Sequence, residues 1–198
     1  MSAPPRTVLT ASPAEEAAIR AAVRAADGHT VAGPAHVEGL LALLSDPAVS
    51  GPIYDLPRPI TRETVAAWVA ESEALRQDGR CLLSVNFDEA GAMAGYTRIT
   101  VWPERASGEL AGARRADLQN SGGGRSGVAR SVAWMFEVLG LRLIGLTAAL
   151  DNVRSAKAID GAGFKRMGEV ESVKPDGTIR RSLYWELTRA EWARMHRL

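Results

Sequence analysis

The chain has a single cysteine, Cys81, so it can build neither a disulfide framework nor a cysteine-based metal site. Its three histidines, His29, His36 and His196, lack metal-ligand spacing, and no bound metal is expected. An excess of one charge is also missing. Twenty-four Lys and Arg against 23 Asp and Glu leave a formal net charge of +1, without the basic excess that a nucleic-acid footprint needs. The most apolar window, residues 132–150, is broken by Glu137, Gly140, Arg142 and Gly145, and reads as helix, turn and strand rather than a membrane span. Met1-Ser2-Ala3-Pro4-Pro5-Arg6 holds no apolar core of a signal peptide. A soluble protein of a reducing compartment is expected, in the cytoplasm, with neither nucleic acid nor membrane as its partner.

What is present is enough for one sizeable core: 198 residues, 46% apolar and 24% charged. Ser12-Pro13-Ala14-Glu15 is a capping box with proline at the first helical position, and Asp27-Gly28 stops the helix that follows. Residues 1–28 are therefore expected to form a helical extension, docked on the core or offered to a partner, and residues 29–198 the main domain. Val37, Leu40, Leu41 and Leu44 recur at helical spacing, as do Val65, Trp68, Val69 and Ser72. Between these helices, prolines at 52, 57 and 59 mark an irregular loop that carries Tyr54 and Asp55 as candidate substrate contacts. Residues 81–87 and 93–102 flank Asp88-Glu89-Ala90-Gly91 as a hairpin, and a third antiparallel strand is expected over residues 108–118. Residues 141–150 read as a central strand covered on both faces, and a second hairpin turns at Pro175-Asp176-Gly177. Thr188-Arg189-Ala190-Glu191 starts a last helix. The expected fold class is α/β: a single domain with a mixed, mostly antiparallel central sheet flanked by helices.

One stretch carries the chemistry. Gln119-Asn120-Ser121-Gly122-Gly123-Gly124-Arg125-Ser126-Gly127 is nearly bare of side chains and leads into a helix, so backbone N–H groups and the positive end of a helix dipole await an anion, above all a phosphate. A nucleoside-triphosphate loop would end in Gly-Lys-Ser/Thr, which is absent. Gly122-x-Gly124-x-x-Gly127 matches a dinucleotide fingerprint literally, but follows an antiparallel strand and lacks the ribose-binding acid about 20 positions on.

Gln119, Gly122 and Gly124 also satisfy Gln-x-x-Gly-x-Gly, and here the chain resembles the GNAT superfamily of N-acetyltransferases. Leu139-Gly140-Leu141-Arg142, Asp151-Asn152-Val153-Arg154-Ser155, Gly163-Phe164, Leu43-Leu44-Ser45-Asp46-Pro47, Gly108-Glu109-Leu110 and the ending Tyr184-Trp185-Glu186-Leu187-Thr188-Arg189-Ala190-Glu191-Trp192 are similar to its Rim-type branch, which acetylates ribosomal proteins. The resemblance implies the acyl-CoA N-acyltransferase fold and acetyl-CoA as co-substrate. It implies that Gly122, Gly123, Gly124 and Arg125 hold the pyrophosphate, that backbone groups at Ala113, Arg114 and Arg115 pair with the pantetheine, and that Gln119, Asn152 and Ser155 belong to the same site. The acceptor is then a protein N-terminal α-amine or a small amine, attacking the thioester directly, with Glu109 as base. A homodimer is compatible with this reading.

Two departures from the pattern matter. Ile159 stands where many members have the tyrosine that protonates the departing thiolate, which leaves Ser155 as the nearby hydroxyl. Gly112, Ala113 and Gln119 stand where aromatics usually wall the acceptor, with Arg114 and Arg115 beside them, and motivate an acidic acceptor. A catalytically silent acyl-CoA-binding module and a dinucleotide-binding oxidoreductase stay open at this point.

Overall fold

A computed structural model describes residues 3–53, 55–119, 123–173 and 178–196. Its elements, in order, are α1 (Pro13–Ala25), β1 (Thr30–Val31), α2 (Val37–Leu44), α3 (Pro47–Ser50), α4 (Arg62–Gln77), β2 (Cys81–Phe87), β3 (Met93–Trp102), β4 (Ser107–Arg114), α5 (Gly123–Glu137), β5 (Leu143–Ala149), α6 (Val153–Gly161), β6 (Lys165–Val173), β7 (Ile179–Thr188) and α7 (Arg189–His196). The strands form one sheet in the order β1-β2-β3-β4-β5-β7-β6. Every neighbouring pair is antiparallel except β4 and β5. The expected α/β class with a mostly antiparallel sheet is the one found.

Alternation along the strands sorts side chains onto two faces. Leu82, Ile99, Ile144, Leu146, Trp185 and Leu187 face a core closed by α5, α6 and α7 through Phe136, Leu139, Ile159 and Trp192. Ile19 and Val23 of α1 belong to that same core. The reciprocal Ser12–Glu15 bonds fix the start of α1, so its apolar stripe meets the sheet in register. On the other face, Leu83, Val85 and Tyr96 pack beneath Leu40 and Leu44 of α2 and Val65, Trp68 and Val69 of α4. The second face is thus roofed by α2 and α4 over its β1–β3 half.

Its β5–β7 half is roofed differently. Pro5 is buried, and Thr7 donates through N and Oγ1 to Glu186. The Arg6 N–H donates to Tyr184 Oη, which in turn donates to Glu186. The chain then passes Glu104, whose carbonyl accepts the Ala11 N–H, and reaches α1 on the opposite face. Residues 5–12 therefore act as a strap from one face of the sheet to the other.

The strand expected over residues 108–118 ends earlier. Beyond Arg114 the backbone turns into a short 3-10 segment, Ala116–Leu118, because Arg115 is pulled aside by Asp88 and Asp117. The strand expected over 141–150 is likewise shorter at both ends, Leu141 being buried under α5 rather than paired. The turn expected at Pro175-Asp176-Gly177 lies outside the described residues; β6 and β7, which flank it, are antiparallel. No helix among the described residues is long and apolar enough to cross a membrane.

Candidate functional site

The unusual feature of the sheet is where β4 and β5 meet. Only Ser107, Gly108 and Glu109 pair with Leu143, Ile144 and Gly145. Past that point β4 stays paired with β3 as far as Arg114, and β5 stays paired with β7 as far as Ala149. The sheet therefore opens into a wedge, with residues 110–114 on one side and 146–149 on the other. Glu109 and Gly145 stand at its vertex.

Ladder alternation decides which backbone groups line the wedge. The Arg115 N–H donates to Ala94 O, so Arg115, and with it Ala113, turns its amide toward β3. Leu110, Gly112 and Arg114 then present their backbone groups to the gap. Of the three positions expected to offer backbone groups here, Arg114 faces the wedge, while Ala113 and Arg115 are spent inside the sheet. An extended, amide-bearing molecule can add to the β4 edge as another strand would. Gly112 keeps that edge bare, and its neighbour across the ladder is too close for any side chain: a Cβ there would meet Tyr96 O at 2.6 Å.

The mouth of the wedge is pinned by Gln119. Its Nε2 donates to Arg114 O at 2.9 Å, and its Oε1 accepts from Arg154 in the first turn of α6. One side chain so ties the end of β4 to the helix that follows β5. Asn152 caps α6, its Oδ1 accepting the Ser155 N–H at 3.1 Å. α5 begins at Gly123, and the first N–H groups of a helix have no partner within it. Gly122 lies outside the described residues, as do Asn120 and Ser121.

Glu109 and Ser155, the two catalytic candidates, are not brought together. Glu109 is half-buried at the vertex, whereas Ser155 follows the far end of β5, beside the Gln119–Arg154 bond. Ile159, one turn further along α6, is buried in the core. Ser155 thus stands at the mouth, next to the residue that ties α6 to Gln119.

The strip of the second face over this vertex, between the α2–α4 roof and the strap, is the candidate acceptor groove. Because Ala113 packs with Tyr96 and Leu110 with the α5 core, Glu109, Ala111 and Ala113 point to the second face and Arg114 to the first. Arg114 is therefore on the opposite side of the sheet from Glu109, and its expected contact with the acceptor is withdrawn. Arg115 is also removed from that role. It is held by Asp88 at 2.9 Å, by Asp117 at 2.8 and 3.0 Å, and by Met93 O at 3.2 Å. A bond from the Ala92 amide and the contact with Arg115 keep the Asp88 carboxyl below its ordinary range.

On one bank of the groove is the loop of residues 51–60, whose Asp55 reaches Arg98 on β3 (Oδ2–Nη1 3.5 Å). Tyr54 lies outside the described residues. On the other bank is the strap. A Cβ at Gly145 would stand 3.0 Å from Tyr184 Oη and 3.2 Å from Pro5 Cγ, so any larger residue has to push the strap or the phenol aside. Burial, then the bond to Glu186, pushes the Tyr184 phenol well above its ordinary range. Burial alone would raise the Glu186 carboxyl, but the donors from Thr7 and Tyr184 outweigh it and leave the group below its usual value. Arg98, Tyr184 and Glu186 were not singled out from the sequence as site residues. Tyr184 and Glu186, two apart in a strand whose other face is Trp185 and Leu187, carry the one local sign of a polar site.

The comparisons with known proteins agree with this geometry. A family model described as an acetyltransferase (GNAT) domain matches residues 31–165. No curated protein matches the sequence. Among solved structures, the ribosomal-protein-S5-alanine acetyltransferase from Vibrio fischeri superposes with a TM-score of 0.69 at 16% identity, over 82% of this chain and 92% of that one. An aminoglycoside acetyltransferase in complex with coenzyme A and kanamycin gives 0.67 at 20% identity, over 84% and 96%. The spermidine N-acetyltransferase from Vibrio cholerae, in complex with coenzyme A and spermine, gives 0.68 at 14% identity, over 82% and 95%.

Proposed function

The chain belongs to the GNAT acetyltransferase family, as an N-acetyltransferase with acetyl-CoA as co-substrate, and we propose that its acceptor is a protein N-terminal α-amine or a small amine. The observation that carries the acceptor site is the groove over the vertex: a half-buried carboxylate, Glu109, on the strand where the sheet opens.

The residues of the wedge fit the co-substrate. The β4 edge at Leu110, Gly112 and Arg114 offers a strand's worth of amide partners, and the start of α5 offers N–H groups for phosphate oxygens. Each such charge–dipole contact stabilises by about 0.3–1 kcal/mol at an exposed helix end. Gln119, Asn152 and Ser155 fix the mouth. When bound, acetyl-CoA supplies the activated acetyl group as a thioester.

The chain's own part is to bring a neutral amine to that thioester. An α-amine with a pKa of about 7.7–8.0 is roughly one-tenth neutral at pH 7, whereas a lysine amine near 10.4 is neutral in only about one part in 2,500. That difference corresponds to about 3.5 kcal/mol and favours the α-amine for a site whose base is a single carboxylate, Glu109. Glu109 takes the proton from the attacking nitrogen as the C–N bond forms and the C–S bond breaks; the thiolate leaves toward solvent and is protonated there. We assign no side chain to that last proton, since Ile159 is apolar and Ser155 stands at the mouth.

The neighbour that acts on a ribosomal protein supports the α-amine reading, as does the resemblance to the Rim-type branch. The neighbours crystallised with kanamycin and spermine favour a small amine. On either reading we place the protein in the cytoplasm, where acetyl-CoA is made available. A screen of peptides and small amines for thiol release tests the proposal. Turnover with at least one α-amine or small amine is expected; coenzyme A binding without turnover of any amine would instead make the protein a silent acyl-CoA-binding module.

A further inference from the structure

We propose that Arg98 reads a carboxylate carried close to the acceptor's amine, and that Asp55 holds the guanidinium until that carboxylate arrives. This rests on the acceptor reading above and narrows it to amino acids or acid-bearing amines.

Three observations lead there. Arg98 lies on the groove face of β3, paired in register with Ala111, so its diagonal neighbour on β4 is Glu109. Diagonal neighbours in an antiparallel ladder stand roughly 7–8 Å apart, within which long side chains meet one small molecule. A cation and a carboxylate at that spacing complement a ligand with an amine and an anion a few bonds apart. The cationic partner once sought in Arg114 and Arg115 is thus found on the neighbouring strand.

The second observation is the quality of the existing pair. Arg98 and Asp55 side chains are both largely buried, at 14% and 12% exposure, yet they meet through one 3.5 Å contact. A resident structural pair would ordinarily be bidentate and near 2.7–2.9 Å. Arg98 Nε has no hydrogen-bond partner among the described residues. Desolvated donors on a guanidinium are costly when left unused, and a ligand carboxylate supplies what they lack. Asp55 is well suited to stand in and to yield. It sits on an irregular proline-rich loop, whereas Arg98 is fixed in mid-strand.

The third is the surroundings. Cys81, beside Arg98 on β2, is buried, and burial raises its thiol, so it stays neutral and does not neutralise the guanidinium. Asp55, with Glu71 of α4 acting alongside it, is the resident negative charge that an entering carboxylate meets.

The test uses matched acceptors, α-amino acids against their carboxamides, with the full-length enzyme. In the wild type the carboxylate member should have the higher kcat/KM by about tenfold or more, as a charge-assisted hydrogen bond implies. Arg98→Gln should bring that ratio close to one by raising KM for the carboxylate far more than for the carboxamide, with coenzyme A affinity retained. Arg98→Lys should restore part of the preference. Asp55→Asn, which removes the competitor, should enlarge it. A wild-type ratio near one, or a preference untouched by Arg98→Gln, overturns the proposal while leaving the enzyme an N-acetyltransferase. Should Arg98→Gln fail to fold, Asp55→Asn decides alone, and an unchanged preference overturns the proposal. If no amine of either kind is acetylated, the acceptor reading falls too.

Discussion

The two sides of the wedge are made of different material. The proposed donor side is almost entirely backbone: the edge of β4, the bare position at Gly112 and the first N–H groups of α5. The proposed acceptor side is almost entirely side chains: Glu109, Arg98 and Asp55 on one bank, and Tyr184 and Glu186 under the strap on the other. A backbone site recognises what every reaction of the family shares, and it needs little more than glycines and a helix start. A side-chain site can differ from one member to the next without disturbing the fold, which fits neighbours that carry kanamycin or spermine on the same scaffold at 20% and 14% identity.

Breaking the acceptor side at its centre should have the largest effect. Glu109→Gln is expected to lower kcat by about 100-fold, most strongly at low pH where the amine is protonated, because general-base contributions of this kind are on the order of 10²–10⁴. Steady-state kinetics from pH 6 to 9 measures it, and an unchanged rate would remove Glu109 from the mechanism.

The roof of the groove comes next. Gly145→Val places methyl groups against Tyr184 and Pro5, within contacts already at 3.0 and 3.2 Å for a Cβ alone. Overpacking of this order costs about 1–3 kcal/mol. Thermal unfolding should show a midpoint lower by several degrees; an unchanged midpoint would mean that the strap lifts without cost.

The donor side should give a smaller response. Gln119→Ala frees the end of β4 from α6 and should weaken acetyl-CoA binding by about 3–10-fold, one or two hydrogen bonds' worth. The acceptor KM should stay as it was. Rising acceptor KM with constant acetyl-CoA affinity would reverse the assignment of the two sides.

The smallest effect is in acid. Glu186 has a folded-state pKa below its ordinary 4.5, so its contribution to holding the strap is complete above that value and is lost as pH falls through the depressed one. Acid titration followed by hydrogen exchange at Thr7 should show the strap loosening below about pH 4.5 in the wild type. Glu186→Gln should lose that pH dependence.

Much of the fold was legible because its signals are local. Ser12 and Thr188 head capping boxes that form as their spacing requires, and the strands over residues 81–87 and 93–102 are where their alternation puts them. The proposed donor loop could be named for the same reason, since Gln119 and the glycines after it form one continuous stretch. The acceptor face was not, because it is assembled from segments far apart in sequence. Arg98 and Asp55 are 43 residues apart, and Thr7 and Glu186 are 179 apart. Arg114 and Arg115 misled for a related reason: adjacency in sequence puts neighbouring strand residues on opposite faces, and Asp88, 27 positions before Arg115, takes up its charge.

The division between a backbone donor side and a side-chain acceptor side is tested most directly by calorimetric titration of coenzyme A into three proteins: the wild type, Glu109→Gln and Gln119→Ala. The expected result is the same Kd for the wild type and Glu109→Gln, and a weaker one, by about 3–10-fold, for Gln119→Ala. Loss of coenzyme A affinity in Glu109→Gln, with none in Gln119→Ala, would contradict it.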